Sequence, residues 1–210
     1  MNKKLLILLL AAMPGFTQVS MMQNANKNLD TIVLAGGCYW CVEAVYEQLD
    51  GVVSAVSGYA GGTNPNPSYD DVSTGKTGYA EVVQITYDKT KTNLDEIFKI
   101  FFSVHDPTTL NRQGADVGTQ YRSAIFYHSP AQQATAKAVI AELTAEKVYP
   151  SPIVTELAPL TRFWPAEAYH QEYFRRNPSQ GYCSFVVAPK VAKFRKLFFA
   201  QVKANPVKAK

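Results

Sequence analysis

The sequence lacks any spacing that could build a metal site. It has three histidines and three cysteines. His105, His128 and His170 are far apart, the one C-x-x-C is Cys38–Cys41, and Cys183 has no histidine pair near it, so no metal is expected. Nothing matches a Gly-rich dinucleotide fingerprint or a P-loop, which leaves no sequence signal for a phosphate-bearing cofactor. Internal repeats are absent. The longest apolar run, Leu5 to Met13, is broken by Pro14 and too short to span a bilayer. Charge is sparse: 18% of residues, with a net +4, too weak by itself to argue for nucleic acid. Hydrophobic residues make up 47% of the 210, which excludes disorder throughout and suffices for one well-packed domain or a tight pair.

The short basic start Met1-Asn2-Lys3-Lys4, followed by that apolar run, reads as a secretory signal peptide over residues 1–22. Residues 23–29 form a polar leader, 30–200 the folded domain and 201–210 a basic tail. The chain is therefore expected to be exported, to the periplasm of a bacterium, with no stable membrane insertion after cleavage. An exported protein with three cysteines cannot pair them all internally, so the odd count favours redox chemistry over a static disulfide framework.

Along the domain, Thr31–Ala35, Val52–Ser57, Tyr79–Tyr87, Ser123–Tyr127 and Pro152–Leu157 read as strands. Helices are expected over Cys41–Leu49, around Leu94–Phe101, from Ser129-Pro130 to about Lys147, over Glu167–Arg176 and over Pro189–Ala200. Gly58 to Pro67 and His105 to Tyr121 read as long loops. The fold class is α/β (α+β), a mixed sheet under helices with long loops.

Cys38 follows two glycines at the start of the apolar-periodic stretch Val42, Val45, Tyr46, Leu49. That places its sulfur at a helix N-terminus, where unpaired N–H groups and the helix dipole favour an anion and so an acidified, nucleophilic thiol. Tyr39 and Trp40 directly after it offer an apolar wall that could grip a small group such as a methyl. Cys41 lies one turn further on, either in redox partnership with Cys38 or as an apolar core residue. Cys183 sits in the turn-rich Asn177–Cys183, a segment able to swing a thiol to a distant partner, as a resolving cysteine must. Glu81 shares a strand face with Tyr79, Val83, Ile85 and Tyr87; buried there, its carboxyl would stay protonated near neutral pH and serve as a general acid, whereas at the strand end it would reach water. Tyr69, Asp116 and Tyr121 could hydrogen-bond a polar oxygen in a dry pocket, although nothing in their spacing brings them together. The histidines read as hydrogen-bonding residues of loops and helix ends, and the basic C-terminal residues as a solvated face.

Several ordered segments resemble the peptide methionine sulfoxide reductases of the A type: Gly37–Trp40, Val56–Gly62, Gly75–Glu81, His105–Pro107, Asp116–Ser123, Phe163–Glu167 and Tyr169–Gln171. The resemblance implies a ferredoxin-like two-layer plait. It implies Cys38 as catalytic cysteine, Glu81 as the acid that protonates the sulfoxide oxygen, and Tyr69, Asp116 and Tyr121 as residues that bind and polarise that oxygen. Tyr39 and Trp40 fall on the aromatic pair holding the methyl, with Tyr39 in place of the commoner phenylalanine. Cys183 matches a resolving cysteine. Cys41 stands where many members carry glycine, and so competes for that role as second choice.

The expected activity is thiol-dependent reduction of methionine S-sulfoxide, free or in proteins, through a Cys38 sulfenic acid and an intramolecular disulfide. No bound cofactor is expected. A thioredoxin-like dithiol donor is implied, nucleic acid is not, and a monomer is expected. Two other readings compete: a general thiol-disulfide oxidoreductase using Cys38 and Cys41, and a non-catalytic module whose aromatic pocket binds methionine.

Overall fold

The computed structural model describes residues 27–204, so the signal-peptide reading and the end of the basic tail fall outside the described residues. Strand β1 (Leu29–Gly36) is the centre of the molecule. Its last residues alternate between two apolar faces, Ile32 and Leu34 towards one core, Val33 and Ala35 towards another, all fully buried. A strand covered on both faces reads as a continuous apolar run, which is what the sequence presents there. Around it lie β2 (Val52–Ala60), β3 (Ala80–Asp88), β6 (Ser123–Tyr127), β7 (Glu156–Pro159) and β8 (Trp164–Pro165). They form a six-stranded sheet in the order β7-β6-β1-β3-β2-β8. Every pairing is antiparallel except β6 with β7. The inner order β6-β1-β3-β2, with one helix after β1 and one after β3, is the ferredoxin-like plait that the resemblance implies. Two-residue strands β4 (Arg112–Gln113) and β5 (Asp116–Val117) form a separate hairpin.

Helix α1 (Tyr39–Tyr46) follows β1, and a single turn, α2 (Tyr69–Ser73), follows β2. Helix α3 (Leu94–Val104) buries Ile97, Phe98, Ile100, Phe101, Phe102 and Val104. Each of its larger side chains is worth roughly 1.5–3 kcal/mol on leaving water. Asn93 caps α3 by accepting the Glu96 N–H at 3.0 Å, and Ser129 caps α4 (Pro130–Ala145) with Pro130 in its first turn. The chain ends in α5 (Tyr173–Arg176), a π-helical turn at Cys183–Val187 and α6 (Ala188–Leu197). Among the described residues no helix is long and apolar enough to cross a membrane.

Three local expectations are corrected. Gly58-Tyr59-Ala60, read as the start of a loop, continues β2, because β3 and β8 supply partners on both of its edges. Gly58 is needed there: a Cβ would collide with Phe163 and the Trp164 backbone. Glu167–Arg176 is not one helix. It breaks at Gln171, which is extended (φ −71°, ψ 138°), and at Glu172, which is left-handed (φ 51°). The break has a cause: Gln171 accepts the Ser57 N–H at 3.0 Å and donates to the Ser57 and Ala166 carbonyls at 2.9 Å each, so its side chain pairs with the β2 edge. Finally, Cys183, read as part of a turn-rich segment able to swing its thiol, is fully buried against the main core and opens the Cys183–Val187 helical turn.

Candidate active site

Gly37 adopts φ +87°, a left-handed conformation, and a Cβ there would come within 2.5 Å of the Gln113 side chain. Gln113 cannot easily yield, since it accepts the Asp106 N–H and donates to the Asp106 carbonyl, both at 3.0 Å. This turn sets Cys38 as the N-cap of α1, 7% exposed, with its carbonyl accepting the Cys41 N–H at 3.1 Å. Gly37→Ala is therefore expected to lower Tm by about 2–10 °C through backbone strain and the displaced Gln113. Thermal unfolding followed by circular dichroism checks this, and an unchanged Tm would remove Gly37 as the residue that fixes the turn.

Glu81 lies on β3 opposite Tyr59 and is 3% exposed, which settles the two readings of its position in favour of burial. Its Oε2 accepts the Tyr39 N–H at 3.1 Å, so the carboxyl is moored one residue beyond the thiol. Burial pushes it up to about 8, with Asp116 and Cys41 adding to the rise against the Tyr39 hydrogen bond. Glu81 is thus a neutral acid at pH 7. Cys38 departs from expectation. Burial, the hydrogen bond with Cys41 and the nearby Glu81 raise its thiol well above the ordinary value, against a lowering contact from Tyr182. In the substrate-free site the desolvation outweighs the helix terminus, and the thiol keeps its proton.

The structure brings the remaining expected residues together. Thr119 Oγ1 donates to the Gly75 carbonyl at 2.7 Å and Gln120 Nε2 to the Ser73 carbonyl at 3.4 Å, tying the Asp116–Tyr121 loop to the end of α2. Tyr69 opens α2, and Tyr121 ends the short helical turn Thr119–Tyr121. Tyr121 is raised first by burial, then by the charges of Glu81, Cys38, Tyr69 and Asp116. Asp116 accepts a 2.6 Å hydrogen bond from the Tyr182 hydroxyl, and Tyr182 also contacts Cys38. Tyr39 and Trp40 form the apolar wall with ring centroids 6.2 Å apart, and Tyr173 stacks flat on Trp40 at 3.7 Å.

Cys41 lies one turn of α1 beyond Cys38, its N–H on the Cys38 carbonyl at 3.1 Å. The Cys41 thiol shares a hydrogen bond with that of Cys38, and Cys183 is raised by burial and then by the charge of Cys41.

Several residues of the site had no role in the sequence reading. Tyr182, adjacent to Cys183, bridges Cys38 and Asp116. Glu167 accepts the Tyr59 hydroxyl at 3.0 Å and the Tyr69 N–H at 2.8 Å, and so aligns β2 with α2. His170 packs between Tyr39 (5.3 Å), Trp40 (5.7 Å) and Tyr69 (4.5 Å). It is 3% exposed with neither ring nitrogen hydrogen-bonded, unlike the histidine expected from sequence, and burial lowers its pKa. By contrast His105 donates from Nδ1 to the Phe101 carbonyl at 2.6 Å and accepts the Ser123 hydroxyl at 2.8 Å. The only signal for Tyr182, Glu167 and His170 was their place in or beside the segments that carry the resemblance. Among the described residues no His, Cys, Asp and Glu cluster could hold a metal ion.

A family model described as peptide methionine sulfoxide reductase matches residues 30–202. A relative from Polynucleobacter asymbioticus, named peptide methionine sulfoxide reductase MsrA, is 52% identical over 181 residues, covering 85% of this chain and 95% of its own. One of the same name from Thermus thermophilus is 53% identical over 165 residues, covering 79% and 93%. Among solved structures, reduced Mxr1 from Saccharomyces cerevisiae superposes with a TM-score of 0.68 at 36% identity, over 75% of this chain and 90% of that one. Methionine sulfoxide reductase A of Corynebacterium diphtheriae gives 0.66 at 38%, over 75% and 79%.

Proposed function

The chain belongs to the peptide methionine sulfoxide reductase family and reduces methionine sulfoxide, and from that premise we propose how its own residues do so. The sulfoxide methyl rests against Tyr39 and Trp40, and its oxygen points to Glu81, Tyr69 and Tyr121. The Cys38 sulfur attacks the sulfoxide sulfur while Glu81 protonates the oxygen, so that the methionine sulfur briefly carries both the Cys38 sulfur and a hydroxyl; the hydroxyl then passes to Cys38 as the new S–S bond breaks. Methionine leaves, reduced by two electrons, and Cys38 keeps the oxygen as a sulfenic acid. The thiol proton released by Cys38 replaces the one Glu81 gave up. Inserting oxygen into an S–H bond moves no net charge, so a neutral thiol and a neutral acid are suited to a pocket this dry. The phenols hydrogen-bond the oxygen as negative charge develops on it. The observation that carries this reading is the buried Glu81 carboxyl, held by the Tyr39 N–H one residue beyond the thiol, where burial favours its neutral form.

The adjacency of Cys41 to Cys38 on α1 supports Cys41, not Cys183, as the first disulfide partner, reversing the preference drawn from sequence. Cys41 attacks the sulfenic sulfur; a second exchange by Cys183 on Cys41 then frees Cys38. Mass spectrometry after one turnover without reductant tests this. In a Cys183→Ser chain we expect a stoichiometric Cys38–Cys41 bond. A parent chain that instead carries Cys38–Cys183, with Cys41 free and its Cys183→Ser variant stalled at sulfenic acid, would overturn the order.

Turnover then needs two electrons from outside. No residue of the site supplies them, so an external thioredoxin-like dithiol restores the thiols by exchange. The substrate is the S epimer of methionine sulfoxide in free or protein-bound form, consistent with one enzyme per epimer. The site is complete within one chain, which supports a monomer. Export through the 1–22 segment would place both the substrate proteins and the donor in the periplasm.

A further inference from the structure

Beside Cys41 lies a narrow void that admits no water. Its walls are Cys41, Phe101, Val104, His105 and Lys190. Lys190 also lines an open groove of about 440 Å³ on the other side, with Asp106, Tyr149 and Lys193. It therefore stands between solvent and the rear of Cys41, in the first turn of α6 and half-buried. Among the described residues it has no salt-bridge partner.

We infer that Lys190 is a positioning residue for the second thiol: from the wall of the dry void they share, its ammonium favours the thiolate of Cys41 as that thiol attacks the Cys38 sulfenic acid. This rests on Cys41 being the closing thiol. In that step the Cys41–Cys38 S–S bond forms and the S–OH bond breaks. Cys41 is oxidised, the Cys38 sulfur is reduced, and hydroxide leaves as water with a proton from the site.

The charges around Cys41 make Lys190 the decisive one. Cys38, on the same helix, donates a hydrogen bond to it; Glu81 on β3 and Asp116 on β5 face it; Tyr182 and Cys183 approach from the turn before α6. His105 at the end of α3 is pushed by burial down to about 4 and carries no charge at neutral pH. Lys190 is the one cation of this set. Cys41 is in fact held below the ordinary thiol value, first by the Cys38 hydrogen bond, against burial, and then by Lys190. The division of labour follows: Cys38 keeps its proton until substrate arrives, while Cys41 gives its proton up more readily than an ordinary thiol.

Thiolate absorbance at 240 nm tests this in a Cys38→Ser/Cys183→Ser chain, where only Cys41 titrates as a thiol and the hydroxyl introduced in place of the first thiol can still donate its hydrogen bond. Lys190→Met and Lys190→Gln are each expected to raise the midpoint by about one pH unit, about tenfold less thiolate at neutral pH, and Lys190→Arg to restore it. With Cys38 and Cys41 present, the Lys190→Met chain should form sulfenic acid at the parent rate but close the disulfide about tenfold more slowly, recovering as pH rises. An unmoved midpoint in both neutral variants overturns the inference. A displaced midpoint with normal closure would show that Cys41 is not the closing thiol, a failure of the disulfide order instead.

Discussion

A Cys38→Ser chain is expected to reduce a methionine sulfoxide peptide roughly 10⁵-fold more slowly than the parent, close to the rate without protein. A serine hydroxyl keeps the shape of the site but is a far poorer nucleophile and cannot carry the oxygen away as a stable acid. The aromatic wall does not depend on the sulfur: Tyr39 and Trp40 are held by α1 and by Tyr173, stacked at 3.7 Å on the indole. Peptide binding, read by Trp40 fluorescence, should therefore survive while turnover disappears. That combination separates the three readings of the site. A methionine-binding module would bind equally with or without Cys38, and its parent would turn nothing over. A general disulfide oxidoreductase would reduce insulin in the parent without any sulfoxide conversion. Sulfoxide turnover at full speed by the serine variant would end the assignment of Cys38.

Local signals gave what local signals can determine. The strand Ser123–Tyr127 matches residue for residue, and the Ser129-Pro130 start of α4 is where a cap and a first-turn proline place it. The helix after Gly36-Gly37 begins within a residue or two of its expected start, so the thiol at its N-cap was legible. The fold family was legible only through the resemblance, because mixed strands and helices do not by themselves choose the β6-β1-β3-β2 order. The illegible parts are those decided by distant partners. Gln171 breaks a helix because it pairs with Ser57, 114 residues earlier. Gly58 stays in a strand because Phe163 and Trp164 lie against it. Cys183 is buried because α6 packs against α1, which no turn-rich composition reveals.

The same limit governs the chemistry. A helix N-terminus is visible in sequence and argues for an acidified thiol; the surrounding desolvation is not, and it wins at Cys38. At Cys41, three residues on, a hydrogen bond and a cation tip the balance the other way. Two thiols on one helical turn are thus shifted in opposite directions.

Glu81→Gln is expected to slow sulfenic acid formation in a single turnover by about 10²–10⁴-fold, the range for loss of a positioned general acid. The amide oxygen can still accept the Tyr39 N–H, so the turn behind Cys38 keeps its mooring. Stability should not fall. Burial raises the carboxyl from 4.5 to about 8, so it takes up a proton on folding. A raised folded pKa makes its contribution to stability most favourable below the unfolded value and lost as pH rises towards 8; at pH 7 the cost is about 3 kcal/mol. A neutral glutamine carries no such cost, and its Tm at pH 7 should equal or exceed the parent's. The pH profile gives the sharper test. In the parent, sulfenic acid formation should be flat below about 8 and fall about tenfold per unit above it as Glu81 ionises. The residual rate of Glu81→Gln should lack that limb, because no acid remains to titrate. If the variant instead formed sulfenic acid at the parent rate, or kept the same alkaline limb, the proton would have to come from another group, and Tyr121 or Tyr182 would take the acid's place.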